Sequence, residues 1–314
     1  MPEMTCNDFF HSVDFFKVIE STPMLQPVMA VAEDGNGTVV GHMLALVCRH
    51  RLLYTPVKYS HCRIYGEGDY DTSLADKDTV FALLLRCLTQ RLRHGLCLYV
   101  ECINISSKMF GYKSFRQNHY FHIQRQEIRN SLHSCPPVKR LSERTRRHIA
   151  AAERKGVYTQ AVTPHSRDME EAVRMLRRHY CLKPGVHVPH QDFFDGLADN
   201  SHCKMIATYN AEGRMIGTCV VVFSGSVACL LALASRRKQY MRLHPNDYTV
   251  WKAIECAYEQ GARHFCFMDA GLPFRKSPLR EFMLGFGGKP VSKFRWVRIP
   301  LRWFNNILDW IYNE

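Results

Sequence analysis

Apolar positions are densest between residues 215 and 288, and their spacing changes several times along that stretch. "MIGTCVVVFSGSVACLLALAS" is two apolar runs joined at Ser224-Gly225-Ser226. A basic loop, "RRKQYMRLHPN", leads into "DYTVWKAIECAYEQG", where Val250, Trp251, Ile254, Ala257 and Tyr258 recur at helical spacing. Pro245 precedes that helix, Asn246 or Asp247 can cap it, and Gly261 follows it. "HFCFMD" then reads as a short buried strand with Asp269 at its C-terminal end, and "LREFMLGFGG" as a glycine-rich return. Residues 217–235 are 19 positions without a charge, long enough for a membrane span. The β-branched Val220, Val221, Val222 and Val227 and the Ser-Gly-Ser interruption favour a hairpin instead. Strands apolar on both faces belong in the middle of a sheet covered by helices.

The first half repeats this pattern in outline. A hairpin is predicted over 28–33 and 38–48 about the turn Asp34-Gly35-Asn36-Gly37, followed by a strand over 61–68. A helix over 78–94 carries Val80, Leu83, Leu84, Cys87, Leu88 and Leu92 as its apolar stripe and stops at Gly95. The strand "LCLYVEC" bears Glu101, and Phe110-Gly111 and a strand over 120–126 follow. Hairpin, helix, Gly95, strand, Glu101 and Phe110-Gly111 match hairpin, helix, Gly261, strand, Asp269 and Phe286-Gly287. The glycines are 166 and the acids 168 residues apart. With little residue identity between them, these are two α/β halves of duplicated architecture, expected over 1–134 and 135–299.

Between the halves Pro136-Pro137 breaks structure, and a helix capped by Ser142 begins the second half. Arg144, Arg147 and Arg154 lie toward one face of that helix. Arg146 sits at the edge of its Leu141/Ile149/Ala152 face, where it can point inward to an anion. A strand over 157–162, a helix over 166–181, a Pro-Gly loop, another helix and a strand over 203–210 complete the outline. Residues 300–314 form an amphipathic helix with Phe304, Ile307, Leu308 and Ile311 on one face and Trp303 and Trp310 flanking it. Packing of that face on the core is the favoured reading, and an interfacial membrane helix is the alternative.

Composition narrows the class. An apolar share of 46% in 314 residues supports a sizeable core. The N-terminus lacks the charged and apolar regions of a signal peptide. Thirteen cysteines are scattered singly, without C-x-x-C or zinc spacing, so buried thiols in a reducing compartment are expected and no metal is. The expected location is the cytoplasm, with peripheral contact at the inner face of an anionic membrane as an option. Of the formal net charge of +13, residues 125–155 carry +6 and residues 270–302 carry +7. Charge so localised implies an anionic partner.

"LSERTRRHIAAAERKGV" resembles the helix that opens the second half of Fem-like proteins and of the related BcsL-like acyltransferases. "WKAIECAYEQGARHFCFMDAG" and "LREFMLGFGGKPV" resemble the helix–glycine–strand–Asp unit of that family and its closing Phe-x-x-x-Phe-Gly. The likeness covers about 141–297. It implies two tandem GNAT-like (acyl-CoA N-acyltransferase type) domains with mixed central sheets, the N-terminal one degenerate. It further implies transfer of an acyl or aminoacyl group to an amine of a lipid, saccharide or cell-envelope precursor. The implied co-substrate is acyl-CoA, an acyl carrier protein or aminoacyl-tRNA, with no tightly bound cofactor, on a monomer or dimer. Two positions depart from the family. Met283 stands where Fem-like chains usually carry Lys. The loop before the central helix has no glycine and contains Pro245, where a CoA-dependent enzyme has a glycine turn whose N–H groups converge on a pyrophosphate.

Acyl transfer needs a deprotonated amine, a polarised donor carbonyl and alignment of the two. Splayed strands over 228–235 and 264–269 are expected to offer backbone N–H to the carbonyl. Asp269, His179 and Tyr180 are the catalytic candidates, with His187 and His190 as looser ones. Arg146, Arg147, Lys276 and Glu101 are candidates for the substrate. Arg236, Arg237 and Trp251, joined by Lys238 and Arg242, are candidates for the donor. Set against acyl transfer is a basic nucleic-acid- or membrane-binding module on a catalytically decayed scaffold of the same fold.

Overall fold

The computed structural model describes residues 7–51, 58–93, 97–181, 183 and 187–313. In chain order the elements are α1 (Val13–Ser21), β1 (Leu25–Glu33), β2 (Val39–Arg51), β3 (Lys58–Tyr65), β4 (Asp69–Tyr70), α2 (Lys77–Arg93), β5 (Cys97–Ile103), α3 (Tyr112–Gln117), β6 (Phe121–Ser131), α4 (Glu143–Arg154), β7 (Tyr158–Ala161), α5 (Arg167–Tyr180), α6 (Gln191–Ala198), β8 (Cys203–Tyr209), β9 (Met215–Ser224), β10 (Val227–Ser235), α7 (Pro245–Glu259), β11 (His264–Phe267), α8 (Pro278–Leu284), β12 (Lys289–Arg298) and α9 (Arg302–Asn313). Two compact units result: residues 1–125 with 292–314, and residues 126–291. Gly95 and the Pro-Gly loop at 184–185 lie outside the described residues.

In the first unit the strand order is β1-β2-β3-β5-β12, with β4 paired to β2. The Asp34 carboxylate accepts the Asn36 and Thr38 amides, which fixes the β1–β2 turn. β3 runs antiparallel to β2 and, across α2, parallel to β5. The α2 stripe packs Phe81, Leu84, Leu85 and Leu88 over a core that includes Ile64, Val100 and Trp296. The expected stripe residue Leu83 is exposed instead, because it lies off the face that α2 turns to the sheet.

In the second unit the order is β6-β11-β10-β9-β8-β7. Among the described residues no helix is long and apolar enough to cross a membrane. The uncharged run is the hairpin β9–β10, and every position of β9 from Met215 to Val222 is buried. Burial of alternate residues alike means that both faces are covered, and α5 and α7 pack on these strands. α7 approaches closely because Gly217 has no side chain: a Cβ there would stand 2.6 Å from Thr249 Oγ1. Thr249 donates to the Pro245 carbonyl at 2.7 Å, so Thr208, 2.6 Å away, donates to Thr249. This buried hydroxyl chain ties the start of α7 to the sheet. Pro245 opens α7 itself, and the residue before it, His244, takes a left-handed conformation. Asn246 and Asp247, expected as caps, instead bond to Ser235 and His148.

The duplicated motif is antiparallel pair, helix, parallel strand. In the second unit it is β9, β10, α7 and β11, and in the first it is β2, β3, α2 and β5. The hairpin expected as the first-half counterpart, β1–β2, is therefore one strand too early. The strand expected over 61–68 is β3, and sequence spacing does not show that β2 pairs with it as well as with β1.

Gly287 closes the second unit with φ of +85°, and a Cβ there would meet the Arg140 carbonyl oxygen at 2.4 Å. Gly287→Ala is expected to lower unfolding free energy by about 2–4 kcal/mol, from left-handed strain plus a clash with backbone. Urea denaturation measures it, and a loss below about 0.5 kcal/mol would show that the Arg140 segment yields freely.

Candidate functional site

β10 and β11 stay in parallel register from Val227↔His264 to Leu230↔Phe267. β10 then runs on to Ser235, and among the described residues no strand pairs with that extension on the β11 side. A bulge between Leu230 and Ala232 shifts its register against β9 at the same point. The two strands of the corresponding pair in the first unit, β3 and β5, remain paired to their ends at Tyr65↔Ile103. An open strand edge of this kind thus belongs to the second unit.

Tyr180, the last residue of α5, reaches that edge. Its hydroxyl donates to the Leu233 carbonyl at 3.2 Å and accepts the Leu233 amide at 3.3 Å. Burial pushes the phenol up, so it stays protonated at neutral pH. His179 lies beside it, with Nε2 3.0 Å from Lys183 Nζ, and the same ammonium sits 4.6 Å over the Tyr180 ring. Partial burial and the Lys183 charge lower the His179 pKa, and burial lowers that of Lys183. The ring is therefore neutral near pH 7 and able to take a proton. Lys183 escaped the sequence reading because the Pro-Gly loop gives no spacing signal that would return it to the helix end.

The C-terminal end of β10 is tied to α7 by Ser235, which donates to Asn246. Beside the start of α7, an open cavity of about 570 Å³ is lined by Arg144, Arg147, His148, Ala150, Ala151, Arg154 and His244. The arginine face expected on this helix is thus gathered at one place. His148 Nδ1 lies 3.0 Å from Asp247 Oδ1, and the His148 and His244 rings stack at 3.9 Å. By donor type His148, His244 and Asp247 can hold a metal ion. Three arginines line the same cavity, so its charge suits an anion; burial and then His148 lower the His244 pKa, with Asp247 opposing. Burial pushes the Cys48 thiol up to about 11 and the Cys203 thiol up to about 12, so neither is a thiolate near neutral pH.

The other candidates are dispersed. Asp269 follows β11, is half-buried, and accepts the Gly271 amide at 2.9 Å. Lys276 is exposed on the following loop, which Arg280 fastens by donating to the Leu272 and Pro273 carbonyls. Arg146 is exposed on α4 rather than turned inward, and Arg237 is exposed on its loop. Arg236 is paired with Glu171 of α5. Trp251 is buried in the core of the second unit. His187 is exposed, and His190 precedes α6 with its ring 3.1 Å from Asp192. Glu101 lies in the first unit, where Arg63 and Arg295 hold its two oxygens at 2.9 and 3.0 Å. Those guanidinium groups keep its pKa below the ordinary range against the effect of burial.

The sequence model of the acetyltransferase (GNAT) domain matches residues 139–276. No curated protein matches the chain by sequence. The crystal structure of FemX is similar with a TM-score of 0.65 at 12% identity, over 96% of this chain and 94% of its own. L-PGS from Bacillus licheniformis is similar at 0.55 and 13% identity, over 95% and 91%. A tandem GNAT protein from the clavulanic acid biosynthesis pathway is similar at 0.52 and 11% identity, over 89% and 85%. The fold is accordingly mixed α/β with tandem GNAT-like units, and the match to the acetyltransferase (GNAT) domain model falls on the second.

Because folding makes the His179 ring harder to protonate, its contribution to stability is present above the ordinary imidazole value of about 6.5 and is lost as pH falls below that value and through the lower folded one. Proton NMR titration should show His179 protonating below that value. Lys183→Ala should move it part of the way back, since burial, the larger cause, remains. An ordinary titration in the unaltered protein would contradict this.

Proposed function

We propose that this protein transfers an acyl or aminoacyl group from an activated ester or thioester to the amine of a lipid, saccharide or cell-envelope precursor. The observation that carries the reading is the extension of β10, without a strand partner on its β11 side among the described residues, leading to a helix start flanked by Arg144, Arg147 and Arg154. An extended donor arm can add to an open strand edge through main-chain hydrogen bonds. Backbone N–H at that edge can polarise the donor carbonyl, and the arginines suit the phosphates of the donor's carrier. The missing glycine turn is then replaced by side-chain charge. In this reading His179 or Asp269 takes the proton of the attacking amine, Tyr180 returns one to the leaving group, and Arg146 and Lys276 grip an acidic acceptor. The fold shared with FemX and with L-PGS supports an aminoacyl donor and an envelope acceptor. Acyl-CoA and acyl carrier protein are the other donors to be tried.

One observation favours the alternative, a basic module that binds RNA without transfer: Tyr180 already occupies both polar groups of Leu233. Lipid and cell-wall mass spectrometry of cells lacking the protein separates the two readings. Loss of an N-acylated or aminoacylated product, with accumulation of its free amine, is expected. No change in either pool would overturn acyl transfer. With the donor so identified, Arg144→Glu together with Arg147→Glu should lower kcat/KM for it at least about tenfold, because each charge-assisted contact to a phosphate contributes about 1.5–3 kcal/mol. The loss should shrink at high salt.

A further inference from the structure

α9 is docked by its polar side. Asn305 is buried; its Oδ1 accepts the Ile299 amide at 2.8 Å and its Nδ2 donates to the His119 carbonyl at 3.1 Å. One turn on, Asp309 takes the Arg116 guanidinium at 2.6 Å. Tyr312 stacks on Phe121 at 6.2 Å. These positions lie together on the helix, and the large apolar residues lie opposite. Trp303 is 65%, Trp310 61% and Ile311 58% exposed, and Phe304 and Ile307 are exposed beside them. The face expected to pack on the core is therefore turned to solvent, apart from the half-buried Leu308. The reason is that Asn305 and Asp309 have specific partners on the first unit, and an anchored polar side leaves the apolar side no route inward.

We infer that α9 is a membrane-surface helix whose occupant is the headgroup and upper acyl layer of an anionic bilayer. The contiguous exposed face is two turns long with a tryptophan at each end, an arrangement that seats both indoles at one depth when the helix lies flat. Its charge is complementary to such a surface. The only acid of α9, Asp309, is neutralised by Arg116. Arg302 opens the helix, and Lys113 is exposed on α3, the helix that supplies Arg116. Arg302 and Lys113 outweigh Glu314, the acid that follows α9 in the sequence, and apolar area and cationic flanks are the two terms that bind interfacial helices to anionic lipid. This inference is independent of the acyl-transfer reading, since it uses no residue of the β10 edge or of the α4 pocket.

The full chain supplies its own probe. Of its four tryptophans, Trp251 and Trp296 are buried, so changes in indole emission report Trp303 and Trp310. Flotation with vesicles of phosphatidylglycerol and phosphatidylcholine is expected, with a blue-shifted emission that brominated lipid quenches. Partition onto phosphatidylcholine alone should be several-fold weaker, at roughly fivefold per cationic residue reaching the surface. Trp303→Ser with Trp310→Ser should weaken binding at least about tenfold while circular dichroism stays unchanged; Ile307→Asp, which keeps both indoles, should do the same. Absence of flotation, or flotation indifferent to these variants, would overturn the inference. So would a dimer in sedimentation equilibrium that Ile307→Asp breaks without any vesicle binding.

Discussion

The second unit depends on the burial of an uncharged hairpin. β9 and β10 have no polar side to turn to water, so both faces must be covered. The helices α5 and α7 that do this are the elements that carry the site. α5 ends in His179 and Tyr180 because its last turn reaches the β10 edge, and α7 begins at Pro245 because Thr249 and Thr208 tie it down over Gly217. A polar residue in place of Val221 or Ile216 would have no partner there, and the cost of that burial would fall on the geometry of the site as well as on stability.

The two units share an order of elements and differ where they can act. In the first unit β3 and β5 stay paired to their ends, and Glu101 in β5 is held by Arg63 and Arg295. In the second unit the parallel pairing stops at Leu230↔Phe267, and the acid that follows β11, Asp269, sits on a loop. A closed ladder leaves the backbone groups satisfied, whereas a strand that outruns its neighbour presents N–H and C=O groups to a ligand or to a side chain such as Tyr180. Duplicated architecture has thus yielded one unit with its parallel pair closed to the end and one with an open strand edge. The positive charge is divided in a similar way. Arg144, Arg147 and Arg154 face a common cavity, while Lys293 and Arg298 are buried in the first unit and Arg295 is held by Glu101.

Much of this was legible in the amino acids. Ser-Gly-Ser between two valine-rich runs marked the hairpin, and Gly261 marked the end of α7, because backbone freedom and side-chain branching act locally. The arginine face of α4 was legible because residues 144, 147 and 154 fall together at helical spacing. Tandem organisation was readable from the repeated order of elements, although the true counterpart of the hairpin is β2–β3, one element later than β1–β2.

What the sequence determined by itself is set by short-range physics: which segments are strands and helices, which face of each is apolar, and where charge accumulates. What only the tertiary structure decided are long-range encounters. Tyr180 meets Leu233 across 53 residues and His148 meets Asp247 across 99. Asn305 meets His119 across 186 residues, and that bond turned α9 over, so that an apolar face legible in the sequence ended outside. Local spacing shows that a helix has two sides. Which side is bound depends on partners that only the folded chain brings within hydrogen-bonding distance.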